Sequence, residues 1–272
     1  MYRKIITENW RNIKSGIIMR RFIFLIMALC LFVTGCTDSH EGTVPLPETG
    51  HTSEVSGTVT GGAVSPDAVN VSFDEAMEKA QQITSGLSLD EKLSFMVVGY
   101  ENISRIPKYF PGDGKIPDDK NGTVPQISDS LITVRDFISE NYSDILAAGT
   151  DRIMMSPAAY PKISAMITSA FLSYDIVTSM LRTELGFDGV VYTPPLLIQY
   201  LRTRYPEDPD GYMAVEAVKA GCDIIYQPRD KKRAIQALRI QVNTGNMPVE
   251  RIDASVVRIL RSRLMHGETV PQ

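Results

Sequence analysis

The stretch LRTELGFDGVVYTPPL, residues 181–196, leaves few choices for the fold around it. Residues 174–185 place Ile176, Val177, Met180, Leu181 and Leu185 at the i, i+3, i+4 spacing of a helix with one buried stripe. Gly186 supplies the left-handed residue that ends such a helix. Asp188-Gly189 then turns the chain into Val190, Val191 and Tyr192, a β-branched and aromatic run suited to a strand covered on both faces. A helix feeding a short buried strand is half of a βαβ unit. In parallel sheets built this way, the residues just past the C-terminal end of a strand line the site. Here they are Thr193, Pro194 and Pro195.

The same rhythm runs through residues 71–267. Ser72 is placed to cap a helix through Phe73, Met77 and Ile83, and Ser88 opens a second with the capping pattern SLDEKL. Strands are expected at 95–98, 108–110, 153–156, 190–193 and 223–227, and helices at 130–148, 174–185, 212–220, 231–243 and 249–266. This predicts an α/β fold with an open parallel sheet of about five strands, too few for the eight of a closed (β/α) barrel. Open edges need a cover or a partner. Capping by the N-terminal helices and a homodimer joining two partial barrels both meet that need. In the last helix Ile252, Val256, Ile259, Leu260 and Leu264 form the apolar stripe, so Arg251, Arg258, Arg261 and Arg263 are expected on a solvated face. Contact of those arginines with anionic lipid is the alternative.

Upstream, Arg20 and Arg21 precede an apolar run over 22–33 that ends in Val33-Thr34-Gly35-Cys36. This is the layout of a secretory signal peptide, and its end resembles the bacterial lipobox, which implies lipidation of Cys36. The run is shorter than the roughly 20 apolar residues of a membrane span. The expected localisation is extracytoplasmic, anchored by lipid to a bacterial cell membrane. Residues 1–18 precede a complete signal (19–36), so Met19 competes with Met1 as the start. Residues 37–70 are rich in Thr, Ser, Gly, Pro and Glu without an apolar period. They read as a flexible tether with a reach on the order of 30 Å.

A net charge of −4 argues against nucleic acid as a partner. Cys30, Cys36 and Cys222, with three histidines, give neither a disulfide framework nor metal-ligand spacing. Cys222, beside a buried strand, is expected to be a small core residue. Neither metal nor cofactor is implied.

Several segments carry a family resemblance. LRTELGFDGVV is similar to the LR-x-ELGFDGVV of the glycoside hydrolase family 3 N-terminal barrel, whose β-N-acetylhexosaminidase branch follows it with Ser-Asp-Asp-Leu. LSLDEKLSFMVVG (87–99) resembles that family's LTLEEKIGQMLMVG, and KYFPGDG (108–114) its KHFPGHG. AVEAVKAGCDIIYQP (214–228) resembles AVEALKAGADMLLMP, and VERIDASVVRILRSRL (249–264) the final helix. In the family a long segment with several strands separates the first two motifs, whereas only residues 99–107 do so here. The resemblance therefore implies a partial or degenerate TIM barrel.

It also implies a glycosidase ancestry whose chemistry is altered at the residues that matter. A retaining glycosidase needs a carboxylate nucleophile and an acid about 5 to 5.5 Å apart. The position matching the family nucleophile is Pro194, which has no group to attack an anomeric carbon. The family's Asp-Ser-His acid/base matches Asp118-Asp119-Lys120, and a lysine protonated near neutral pH is a poor proton shuttle. Lys108 and Tyr109 match a Lys-His pair that binds sugar hydroxyls; a donor and an amphipathic ring are retained there. FPGDG otherwise serves as a strand-to-loop turn fixed by Pro111 and Gly112. Asp188 sits at the opposite end of the strand, where it would brace the turn. Residues 226–229, Tyr-Gln-Pro-Arg, would line the mouth without specifying a ligand. The expected function is a non-catalytic domain binding N-acetylated sugars, peptidoglycan fragments or a protein partner. The alternative is an active β-N-acetylhexosaminidase using a relocated carboxylate from Asp113, Asp118 or Asp119.

Overall fold

The computed structural model describes residues 71–100, 106–112, 122–164 and 168–271. The expected start region, signal, tether and Cys36 lie outside the described residues, as do Asp113, Asp118, Asp119 and Lys120.

Local chemistry explains the first elements. Helix α1 (Phe73–Gly86) is capped by Ser72, whose hydroxyl accepts the Glu75 N–H at 3.2 Å. Helix α2 (Leu89–Met96) begins with a full capping box: the Ser88 hydroxyl accepts the Glu91 N–H, and the Glu91 carboxylate accepts the Ser88 N–H at 2.8 Å. It runs straight into β1 (Val97–Val98), so Phe95 and Met96 belong to the helix end and not to the expected strand. Strand β2 (Lys108–Phe110) follows. The single helix expected over 130–148 breaks at Tyr142 into α3 (Leu131–Asn141) and α4 (Ser143–Ala147). Tyr142 packs its ring edge on Phe110 at 5.1 Å and donates its hydroxyl to the Gly112 carbonyl at 3.0 Å.

Strand β3 (Arg152–Met155) leads through a short 3-10 turn, Ala170–Leu172, to α5 (Asp175–Glu184). Helix α5 has π geometry, and just past its end the Leu185 N–H reaches back five residues to the Met180 carbonyl at 3.1 Å. Gly186 ends it at φ 69°. After β4 (Val190–Tyr192) come α6 (Gln199–Arg204), α7 (Pro209–Ala220), β5 (Ile225–Tyr226), α8 (Lys231–Asn243) and α9 (Val249–Met265).

The strands are parallel throughout. Strands β2, β3 and β4 form one sheet, with Ile153 opposite Val191, and β1 pairs with β5 through Val97–Ile225 and Val98–Tyr226. A parallel bridge between Tyr192 and Ile224, with the Thr193 N–H on the Ile224 carbonyl at 2.9 Å, joins the two. The spatial order is therefore β2-β3-β4-β5-β1. Strands β1 and β2, neighbours in the chain, stand at the two edges, and the described strands close no barrel. Phe110, Met154, Ile176 and Met213 are among the wholly buried side chains of the core.

Helix α9 departs from its expected role. It packs against α1, α2 and β4, and its arginines are not a solvated face. Arg251 donates to the carbonyls of Val218 (3.0 Å) and Cys222 (2.7 Å). Arg258 and Arg261 hold the two Asp188 oxygens at 2.9 and 2.8 Å, and Arg261 also lies 4.6 Å over the Phe73 ring. Arg263 sits 5.5 Å over Phe95. Because the helix is wedged between α1 and the N-terminal ends of the strands, two of its faces are covered. The guanidinium groups are used inside the fold, which also removes them as a lipid-binding surface. Asp188 braces this end, as its place in the turn implied. Among the described residues no helix is long and apolar enough to cross a membrane.

Candidate functional site

The C-terminal ends of the strands deliver Gly99-Tyr100, Pro111-Gly112, Ser156-Pro157, Thr193-Pro194-Pro195 and Gln227-Pro228-Arg229 to one end of the sheet. Each exit has a local reason. After β2 the Gly112 N–H closes a turn on the Tyr109 carbonyl at 2.6 Å, and the Phe110–Pro111 peptide is cis. A Cβ on Gly112 would stand 2.8 Å from the Tyr160 hydroxyl, so the turn fits glycine. After β5 Gln227 adopts φ 50°, left-handed backbone that costs a non-glycine residue about 1–2 kcal/mol. In return its N–H reaches the Val98 carbonyl at 2.9 Å and secures β1.

The TPPL segment is bound to β5. Thr193 is fully buried and its hydroxyl accepts the Tyr226 N–H at 2.9 Å, while the Leu196 N–H donates to the Tyr226 carbonyl at 3.0 Å. Pro194 is buried between these two bonds. Pro194, the residue that the resemblance aligns with the family nucleophile, thus lies just past the end of β4 and carries no ionisable group.

Alternation along β2 sends Phe110 to the face where Tyr142 packs and Tyr109 to the other face. Tyr109 is 9% exposed, and Tyr192 and Tyr226, whose rings meet edge to face at 6.5 Å, are each 2% exposed. Burial pushes the Tyr109 phenol above its ordinary pKa, with the nearby Tyr226 adding to the shift. Little of the Tyr109 ring is left for a sugar to stack on. Lys108 lies on β2 opposite Met154.

The carboxylates on the α6–α7 side of this end are committed to the scaffold. Asp210, 4% exposed, takes Arg202 on both oxygens (2.9 and 3.3 Å) and the backbone N–H groups of Arg229 (3.0 Å) and Asp230 (3.2 Å). Asp208 caps α7 and pairs with Arg233 at 2.7 Å, whose hydrogen bond is the main cause of its lowered pKa. Asp230 caps α8 through the Arg233 N–H. None is disposed as a nucleophile. The sequence reading passed over Asp210 and Arg202. The signal was DPDG, an N-cap Asp followed by Pro at the first helical position, which moves the start of α7 to Pro209 from the expected 212.

The opposite end carries a shallow cleft, with room for about one water molecule, lined by Arg152, Tyr192, Ser262 and Glu268, among others. It is far too small for a small-molecule site, and Arg152 is already held by Ser262 (2.8 Å) and Glu268 (2.6 Å). Cys222 is fully buried, and burial pushes its thiol pKa strongly up, so it is a core residue.

Comparison with known proteins accords with this geometry. Residues 38–262 match the family model described as glycosyl hydrolase family 3 N terminal domain. An uncharacterized secreted glycosyl hydrolase of Arthroderma benhamiae is 37% identical over 120 residues, covering 43% of this chain and 33% of that protein. Beta-glucosidase C of Emericella nidulans is 30% identical over 192 residues, 62% of this chain and 29% of its own. Among solved structures, a family 3 beta-N-acetylglucosaminidase from Paenibacillus superposes with a TM-score of 0.53 at 30% identity, covering 61% of this chain and 32% of its own. The chain spans about a third of the length of these relatives. With motifs, parallel α/β sheet and family model in agreement, the chain belongs to glycosyl hydrolase family 3, by that family's TIM-barrel-like N-terminal domain.

Proposed function

We propose that this domain is a non-catalytic member of the family, a partial barrel that binds N-acetylated sugars, including peptidoglycan fragments, outside the cell. The observation that carries the proposal is Pro194, buried at the end of β4 where the family motif places its nucleophile. A carboxylate there would attack the anomeric carbon; a proline leaves only the scaffold. The structural likeness to a beta-N-acetylglucosaminidase supports the sugar class. The printed name of the Arthroderma relative, a secreted glycosyl hydrolase, supports export. Lipidation at Cys36 supplies the tether in this reading, and a homodimer covers the open edges of β1 and β2.

The full chain incubated with p-nitrophenyl N-acetyl-β-glucosaminide is expected to release no nitrophenol. Turnover that Asp118→Asn abolishes would overturn the non-catalytic reading. Calorimetric titration with muropeptide fragments is expected to show binding, and its absence would favour a protein partner. A monomeric mass by light scattering would remove the dimer. Palmitate incorporation that survives Cys36→Ser would remove the anchor.

A further inference from the structure

The route into the sheet from its C-terminal end is filled by Tyr109, Tyr192 and Tyr226, which are 9%, 2% and 2% exposed. A saccharide therefore needs a surface on the rim, and the rim offers one. Helix α6 follows the exit of β4, and α7 begins at the exit of β5, because Asp210 grips the N–H groups of Arg229 and Asp230. Tyr212, in the first turn of α7, stands at this same end and is 47% exposed. Its ring stacks on Tyr205, with centroids 4.6 Å apart and planes 29° from parallel. The Tyr205 hydroxyl lies 3.5 Å from the Thr168 hydroxyl on the segment after β3, and the Arg204 guanidinium sits 5.5 Å over the Tyr205 ring.

We propose that Tyr212, backed by Tyr205 and flanked by Arg204, is the platform on which this domain stacks a pyranose ring. The inference rests on the sugar-binding reading above and gives it a location.

The chemistry selects the ligand class. A rigid tyrosine face presents apolar area at low entropic cost, because the ring behind it already restricts its rotation. A pyranose matches it with an apolar C–H face and a rim of hydroxyls, for which the phenol groups and the guanidinium supply hydrogen-bond partners. Nearby charge is balanced: Glu216 is paired with Lys219 at 2.9 Å. A nucleobase also stacks on tyrosine, but a chain of net charge −4 repels its phosphates. The uncharged pyranose ring of a glycan is therefore the occupant.

The test titrates N,N′,N″-triacetylchitotriose into the full chain by calorimetry. Tyr212→Ala is expected to weaken binding by about tenfold or more, and Tyr212→Phe, which keeps the ring, by no more than about twofold. Melting curves check that each variant is folded. If Tyr212→Ala melts early, Tyr212→Leu takes its place, filling similar space without a planar face, with the same loss expected. Parent-like binding by the Ala or Leu variant overturns the platform and leaves the sugar-binding reading standing. If the parent binds neither chitotriose nor muropeptide, the sugar-binding reading falls, and the platform with it.

Discussion

Asp223 offers the sharpest test of how this fold is held together. Its carboxylate is wholly buried two residues before β5. One oxygen accepts from Arg182 at 2.5 Å and from the Val191 N–H at 3.0 Å. The other accepts the Ser255 hydroxyl at 2.6 Å and faces Arg258 and Arg251 at 3.5 and 3.6 Å. Asp223→Asn keeps the shape and removes the charge. Both oxygens face donors, so the new amide NH₂ meets a donor whichever way it turns; Arg182 and Arg251 lose their carboxylate partner, while Arg258 keeps Asp188. Breaking a buried pair on one side costs about 3–5 kcal/mol. The arginine side chains retain 12–21% exposure, so the lower part of that range applies. At about 2–4 °C per kcal/mol for a domain of this size, the melting midpoint should fall by roughly 10 °C. The pH dependence carries a second signature. Burial alone would raise the Asp223 pKa, but Arg182, Arg251, Arg258 and Ser255 together outweigh it and hold it below the ordinary value. A depressed carboxylate stabilises above its unfolded pKa of about 3.9 and loses that contribution as pH falls through the lower folded value. The gap between parent and variant, measured by calorimetry across pH, should therefore be full at neutral pH and shrink below about pH 4. A variant melting within about 2 °C of the parent at pH 7 would refute the reasoning, since under 1 kcal/mol is what an exposed pair contributes.

Three further outcomes are expected. Gly189→Ala would drive its Cβ into the Asp151 carbonyl and to 2.5 Å from the Phe187 ring, next to the 2.7 Å bond from the Val190 N–H to that carbonyl; denaturant unfolding should show a loss of about 1–3 kcal/mol, and an unchanged midpoint contradicts the packing described. Cys222 should resist iodoacetamide at mildly alkaline pH in the folded chain and react in guanidinium, read by peptide mass spectrometry; labelling of the native protein argues against its burial. Pro194→Asp should yield no hydrolysis of the nitrophenyl substrate, because the buried backbone around it is tied to Tyr226 through the Thr193 hydroxyl and the Leu196 N–H; measurable turnover would refute the non-catalytic reading of this scaffold.

How much of this was legible follows from which interactions are local. Ser72 and Ser88 announced their helices because a cap is decided within four residues, and Gly186 announced a helix stop because only backbone conformation is involved. The strands were found as apolar β-branched runs: β2 has its expected bounds and β3 its expected length one residue earlier, while β1, β4 and β5 are shorter, since pairing partners trim the ends and Asp223 and Gln227 fall outside β5. The π winding of α5 left no mark, because its side-chain stripe at Ile176, Val177, Met180 and Leu181 satisfies ordinary helical spacing as well. The arginines of α9 were misread for a related reason. A single apolar stripe identifies one buried face, and nothing in the periodicity says that Asp188 and Asp223, far away in sequence, bury the other. At the site, the place of Pro194 just past the end of β4 was readable from the motif alone. The burial of Tyr109 and the stacking of Tyr212 on Tyr205 depend on how separate βα units meet, which no segment encodes by itself.

The spatial order of the strands bears on how the chain acquires its structure during synthesis. Val97 and Val98 are made early, yet the strand they pair with, Ile225–Tyr226, emerges only near the end of the domain. Helix α1, too, packs against α9. An emerging chain therefore carries an exposed strand edge and an uncovered helix face until its C-terminal quarter has left the ribosome. Such non-local pairing makes for slow folding and a long interval of vulnerability to aggregation. Under the export proposed above that interval has a use: a domain unable to close before its last helix arrives stays open long enough to be threaded across a membrane.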